Sequence, residues 1–256
     1  RHDLADSRRG ARVYREGHLP GAYFAPVETE LSGVKTGANG RHPLPDAAAF
    51  AAFLNAHGVT AETQIVAYDD VGGQFAARLW WLARWLGLTR VAVLDGGLPK
   101  WIAEGNPLSI EMPTPRPTGC VIARPDATRV RSAADVLAGT ENASRCIVDA
   151  RAPERFRGEV EPIDLVAGHI PTALNRFFKS NLQADLTMRA PAELRREFEA
   201  LLGGWRPDQV VHQCGSGMTA CVNMLAMEHA GLGGSALYVG SWSEWIADPA
   251  RPIARG

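Results

Sequence analysis

The sequence predicts an α/β fold built as two tandem domains, each a mainly parallel sheet flanked by helices. Three observations predict it. The same landmarks occur twice in the same order, strand-like runs alternate with helix-like stretches in both halves, and a proline-dense segment separates them. With 256 residues, 46% of them apolar and 21% charged, the chain can build two ordinary cores without metals or disulfides.

In the first half, Gly17-His-Leu-Pro-Gly-Ala22 is the first landmark. Ile65-Val-Ala-Tyr-Asp-Asp70 follows as an apolar run ending in polar residues, the pattern of a buried strand. Small residues then lead into the helix-like stretch Phe75–Trp85, whose Trp80, Trp81 and Trp85 are expected to pack on the sheet. Val91-Ala-Val-Leu-Asp-Gly-Gly97 reads as the next strand and turn, with Trp101 beyond it. A strand, a helix and a further strand in this order connect as a right-handed parallel crossover.

Pro107, Pro113, Pro115, Pro117 and Pro125 then block both helix and central strand, so 107–125 is expected to be an extended, stiff linker. The first domain is placed at 1–106 and the second at 126–256. Ser132 is the expected cap of a helix from Ala133 to Ala138. Cys146–Ala150 reads as a strand leading to Arg151, and Gly168-His-Ile-Pro-Thr-Ala173 repeats the first landmark. Val210-Val-His-Gln-Cys214 answers the Ile65 run, and Thr219–His229 answers the Phe75 helix. Leu237-Tyr-Val-Gly-Ser241 with Trp245 answers the Val91 strand. Arg1 stands about as far before His18 as Arg151 before His169, so the first half is expected to lack its opening strand and helix.

Gross properties exclude several classes. The net charge of −1 gives no electrostatic footprint for nucleic acid or a membrane surface. No run approaches the roughly 20 apolar residues of a membrane span, and no signal peptide is visible. The four cysteines, Cys120, Cys146, Cys214 and Cys221, include no Cys-x-x-Cys pair, which argues against a disulfide or zinc framework. A reducing, cytoplasmic setting is the expectation.

Cys214 is the candidate nucleophile. It ends a strand and is followed by Gly-Ser-Gly-Met-Thr219 and a helix start. Gly215 and Gly217 allow a tight curl in which several amides point at one centre, and the helix N-terminus adds positive potential. Such a place stabilises an anionic sulfur, and a thiolate is the reactive form. Cys221 lies inside an apolar helix and reads as a small buried hydrophobe; Cys120 and Cys146 carry no assigned chemistry.

These landmarks carry a resemblance. Gly17-His-Leu-Pro-Gly-Ala22, Tyr68-Asp-Asp70, Leu94-Asp-Gly-Gly97 with Trp101, Asp149-Ala-Arg151, Arg155-Phe-Arg-Gly158, Gly168-His-Ile-Pro171, Cys214-Gly-Ser-Gly-Met-Thr-Ala220 and Gly240-Ser-Trp242 together resemble the tandem-domain rhodaneses, the thiosulfate and 3-mercaptopyruvate sulfurtransferases. The resemblance spans nearly the whole chain. It implies two rhodanese-like domains, the first catalytically silent with Asp69 or Asp70 in the place of the cysteine. It also implies an active site between the domains, no cofactor, and a persulfide carried on Cys214 in the cradle of Gly215, Gly217, Met218 and Thr219.

The resemblance extends to the donor. A Cys-Gly-Ser-Gly loop goes with 3-mercaptopyruvate, whereas basic residues after the cysteine go with thiosulfate; this loop has neither Lys nor Arg. Met218 stands where the family usually has Val. Arg155 matches the family's substrate-binding arginine, whose fork can grip a carboxylate with two hydrogen bonds. Arg151, Arg157 and Arg176 compete with it by position. A second arginine that some members carry before the Gly-His-Ile-Pro motif is replaced here by Ile163 and Asp164. A Ser-His-Asp relay of the family is matched by Ser216, His42 and Glu28, the last one methylene longer than the usual Asp. His18 and His169 occur in both repeats and are read as structural. Cyanide, a small thiol or thioredoxin are the implied acceptors.

Three rivals stand beside this reading. One is a thiosulfate-preferring enzyme. Another is a cysteine phosphatase, which needs Cys-x5-Arg where this chain has Ala220. The third is a non-catalytic interaction module, against which the retained Cys214 argues.

Overall fold

The structure is a computed structural model, and residues 8–256 are described. Residues 1–7, on which the expectation about the opening strand and helix rests, lie outside the described residues. The chain divides into two compact units. One comprises the residues up to Gly33, Leu44–Asp126 and Ala184–Thr187; the other comprises Val34–Pro43, Ala127–Gln183 and Met188–Gly256.

The first unit contains α1 (Arg9–Glu16), α2 (Ala47–Ala56), β1 (Ile65–Ala67), α3 (Ala76–Trp85), β2 (Val91–Val93) and α4 (Gly97–Ala103). Asp46 starts α2 by accepting the Ala49 amide at 2.9 Å, so the alanine-rich run that follows propagates from a satisfied end. β1 and β2 pair in parallel, Ile65 opposite Val91. α3 is apolar on nearly every face and accordingly buried, with Trp80, Trp81 and Trp85 all inside. The proline-dense stretch has no helix or strand, and its remaining amides tie it along this unit. Ser109 and His18 exchange backbone bonds of 2.9 and 2.8 Å, and the Gly119 amide donates to Asn55 O at 2.7 Å. The C-terminal tail does the same in the second unit, where His169 and Ala254 exchange bonds of 2.9 Å.

The second unit contains β3 (Val130–Arg131), α5 (Ala133–Glu141), β4 (Cys146–Asp149), α6 (Pro153–Phe156), β5 (Leu174–Asn175), α7 (Pro191–Leu202), β6 (Val210–Gln213), α8 (Ala220–His229), β7 (Ala236–Tyr238) and α9 (Ser241–Trp245). Its five strands are parallel in the order β3-β7-β6-β4-β5. Ser132 caps α5 in a reciprocal box with Asp135. Alternation along the central strands separates two cores. Cys146, Val148 and Val210 pack with Leu194, Phe198 and Met227, while Ile147 and Val211 pack with Val136, Trp242 and Trp245. A sheet buried on both faces leaves its C-terminal strand edge as the natural place for a site, and β6 delivers Cys214 there.

Candidate active site

Cys214 follows β6 directly and is 2% exposed. Its carbonyl accepts the Trp242 amide at 3.0 Å, and its own amide donates to Ser241 Oγ at 3.2 Å. The cysteine is thus pinned on both sides of its backbone. Its sulfur accepts the Gly217 amide at 3.2 Å. Gly217 has φ +79°, and a Cβ there would meet Val239 O at 2.4 Å, so the curl requires glycine. Met218 is buried and Thr219 half-buried where the loop runs into α8.

The first unit contains the counterpart of this loop, and it resolves the choice between Asp69 and Asp70. The Leu98 amide donates to Asp69 O at 2.9 Å, as the Trp242 amide does to Cys214 O. Gly97 at φ +56° and Ser241 at φ +53° precede the two donors. Asp69 is therefore the counterpart of Cys214. Its Oδ1 accepts the Val71 and Gly73 amides at 2.9 and 2.8 Å, and its Oδ2 accepts those of Phe75 and Ala76 at 2.8 and 3.0 Å. A carboxylate fills this cradle outright. Ser241 holds an uncommon left-handed backbone where its twin has glycine, and its hydroxyl is what reaches the Cys214 amide.

His42 and Ser216 meet within the second unit, Nδ1 to Oγ at 2.8 Å, both nearly fully buried. Segment 40–42 is held by the Arg41 amide on Ser243 Oγ at 3.0 Å. Glu28, the third residue of the expected relay, is half-buried on a turn of the first unit.

Arg155 reaches the loop, and the arginines that compete with it in sequence are engaged elsewhere. Arg151 pairs with Asp149 through Nη2 to Oδ2 at 2.7 Å, donates to Gly168 O, lies over Trp242 and meets Glu161 at 3.5 Å. Arg176 pairs with Glu197, and Arg157 pairs with Glu159 at the surface. A Cβ on Gly215 would lie 3.6 and 3.8 Å from the Arg155 terminal nitrogens and 2.9 Å from Arg41 Nη2. Two guanidiniums therefore stand at the cysteine loop. Sequence reasoning missed Arg41, although it adjoins His42 in the loop Gly40-Arg-His-Pro43. Burial lowers the Arg41 pKa, a trend that Cys214 opposes and Arg155 reinforces.

Asp164 was also missed as a contributor. It bridges the two arginines, accepting from Arg155 Nη2 at 3.2 Å and from Arg41 Nη1. Glu161 takes the other edge of Arg155 at 3.1 and 2.6 Å. Where the resemblance leads one to look for an arginine, at Ile163 and Asp164, the structure has Asp164 paired with an arginine from another segment.

Cys146, Cys221, His18 and His169 are packing groups. Burial raises the Cys146 thiol to about 11, and Cys221 donates to Gly217 O inside α8. His18 stacks on Tyr14 and His169 on Phe156, and each bonds a backbone carbonyl. Among the described residues no group of three or more metal-ligating side chains occurs, and no helix is long and apolar enough to cross a membrane.

The chain matches a model of the rhodanese-like domain at residues 1–104 and 132–248. It is 49% identical to the "Probable 3-mercaptopyruvate sulfurtransferase" of Pseudomonas aeruginosa, over 100% of this chain and 90% of that protein. It is 33% identical to the thiosulfate sulfurtransferase of Bos taurus, over 98% of this chain and 85% of that protein. Among solved structures it resembles 3-mercaptopyruvate sulfurtransferase from Leishmania major with a TM-score of 0.86 and 31% identity, covering 98% of this chain and 70% of that one.

Proposed function

The chain belongs to the rhodanese-like domain family and is a sulfurtransferase, and on that premise we propose that 3-mercaptopyruvate is its donor and Cys214 its sulfur carrier. One observation carries the reading: a buried sulfur that accepts the Gly217 amide lies beside a loop glycine on which two guanidiniums converge. Arg41 and Arg155 bind the donor carboxylate and set its thiol sulfur against Cys214. The Cys214 thiolate forms a bond to that sulfur, and the donor C–S bond breaks with its electron pair passing to carbon. The enolate so formed takes a proton through Ser216, paired with His42, and leaves as pyruvate. The donor's own thiol proton stays with the outer sulfur or passes to water. Amides of the loop stabilise the persulfide anion. An acceptor nucleophile then takes the outer sulfur and restores the thiolate. Glu28 is assigned as the carboxylate of the relay, which Glu28→Gln tests directly through a fall in kcat.

The acceptor is a thiol, small or carried on a protein such as thioredoxin, or cyanide, and a reducing cytoplasmic setting suits both the carrier and a thiol acceptor. Met218 and Thr219 contribute to the wall and amides of the sulfur site. Incubation with 3-mercaptopyruvate alone, followed by mass spectrometry, should show one added sulfur on the wild type and none on Cys214→Ser. No adduct on the wild type, or one that survives the substitution, overturns the mechanism. Steady-state kcat/KM with one acceptor should favour 3-mercaptopyruvate over thiosulfate.

A further inference from the structure

The charges around the loop bear on which anion the site accepts, an inference that rests on the reading above. Arg151 is matched by Asp149, 1% and 0% exposed, and its other terminal nitrogen lies 3.5 Å from Glu161. The two arginines that reach the loop are matched differently. Asp164, 3% exposed, accepts from both, and Glu161, 4% exposed, accepts from Arg155. Arg41, Arg151 and Arg155 therefore stand against three buried carboxylates, Asp149, Glu161 and Asp164, and the loop brings no further cation. Buried ionic groups of this kind are kept only when paired, because desolvation penalises each lone charge heavily.

The pairing leaves donors without leaving charge. Arg41 Nε is buried with no hydrogen-bond partner among the described residues, and Arg41 Nη2 and the Arg155 terminal nitrogens face the position next to Gly215. A monoanionic donor can collect these hydrogen bonds at little electrostatic cost. A dianion would have to give up twice the hydration and would meet no surplus positive charge to offset it.

We propose that Asp164 is a specificity-determining residue, which holds Arg41 and Arg155 in place while cancelling their charge, so that the site prefers a singly charged donor to a doubly charged one. It acts on the donor through the two guanidiniums and is a positioning residue.

The test is Asp164→Asn, which keeps the shape and removes the charge, beside Asp164→Glu, which keeps the charge. kcat/KM is measured for 3-mercaptopyruvate and for thiosulfate with a single acceptor. In Asp164→Asn the thiosulfate-to-mercaptopyruvate ratio should rise about tenfold, mainly through a lower KM for thiosulfate, and the gain should shrink as salt is added. Asp164→Glu should keep the wild-type ratio within about twofold. An unchanged ratio in Asp164→Asn, or an equal fall with both donors, overturns the proposal. If Asp164→Asn does not fold, Glu161→Gln makes the same charge change for the same readout. A measurement on the wild type needs no variant: at constant ionic strength pyruvate should protect Cys214 from alkylation and sulfate should not, and equal protection by sulfate overturns the proposal. A wild type that takes sulfur onto Cys214 from neither donor sinks the functional reading, and this inference with it. Normal loading of Cys214 with an unmoved donor ratio sinks only the inference.

Discussion

Asp69 stands in the first unit where Cys214 stands in the second, each with its carbonyl bonded by the amide that follows a left-handed residue. The loop that holds the Cys214 sulfur in one unit holds a carboxylate in the other. The first unit retains the amide cradle and fills it with the Asp69 side chain. Four amides donate to that carboxylate, so it works as a structural plug at the entry to α3.

Asp69→Ala should therefore destabilise the protein while leaving the sulfur chemistry of the second unit in place. Buried donors that lose their acceptor cost about 1–3 kcal/mol each before relaxation and water offset them, and a net loss of roughly 3 kcal/mol is expected. Urea denaturation measures it. Asp69→Asn, which keeps two of the acceptor positions, should lose less.

Ser216→Ala and His42→Ala should each lower kcat with 3-mercaptopyruvate by about 10²–10⁴, with KM little changed, because proton transfer to the departing carbon is the step proposed for them. The double variant should be no slower than the worse single one, since the pair bonded at 2.8 Å acts as a unit. Additive losses would show that the two act separately.

Arg155→Lys and Arg41→Lys keep the positive charge but lose the planar fork. Each should raise KM for 3-mercaptopyruvate about tenfold or more while persulfide still forms at saturating donor. Steady-state kinetics with mass spectrometry of the loaded enzyme separates the two effects.

His212 lies in the central strand β6, fully buried, and burial lowers its pKa from 6.5 to about 3. The unfolded chain binds a proton there at a pH where the folded one does not. Stability from this group is thus complete above pH 6.5 and falls as pH drops toward 3. Between pH 7 and 5 the loss amounts to about 2 kcal/mol. His212→Leu should remove that part of the slope, which urea midpoints at the two pH values would reveal. An identical slope in the variant would refute the assignment.

The repeat, the two α/β halves and the strand-end position of Cys214 were legible in the sequence because each depends on local pattern. Val210–Gln213 ends in polar residues at a glycine-rich turn, and strand geometry alone then places Cys214 at the sheet's C-terminal edge. Arg155 was singled out by the family resemblance of Arg155-Phe-Arg-Gly158, and its guanidinium does lie at the cysteine loop. Asp69 could not be separated from Asp70, since a one-residue slip in a loop leaves no trace in composition. The carbonyl bond from Leu98 removed the ambiguity.

By itself the sequence determined the fold class, the place of Cys214 at the end of a strand and the absence of basic residues in its loop, all properties of contiguous residues. Tertiary structure alone decided which charges surround that loop. Arg41 and Asp164 are 123 positions apart, and nothing in either neighbourhood announces that they share an ion pair. A guanidinium's reach and a carboxylate's burial are set by where chain segments cross, and segment crossing is what local pattern does not encode.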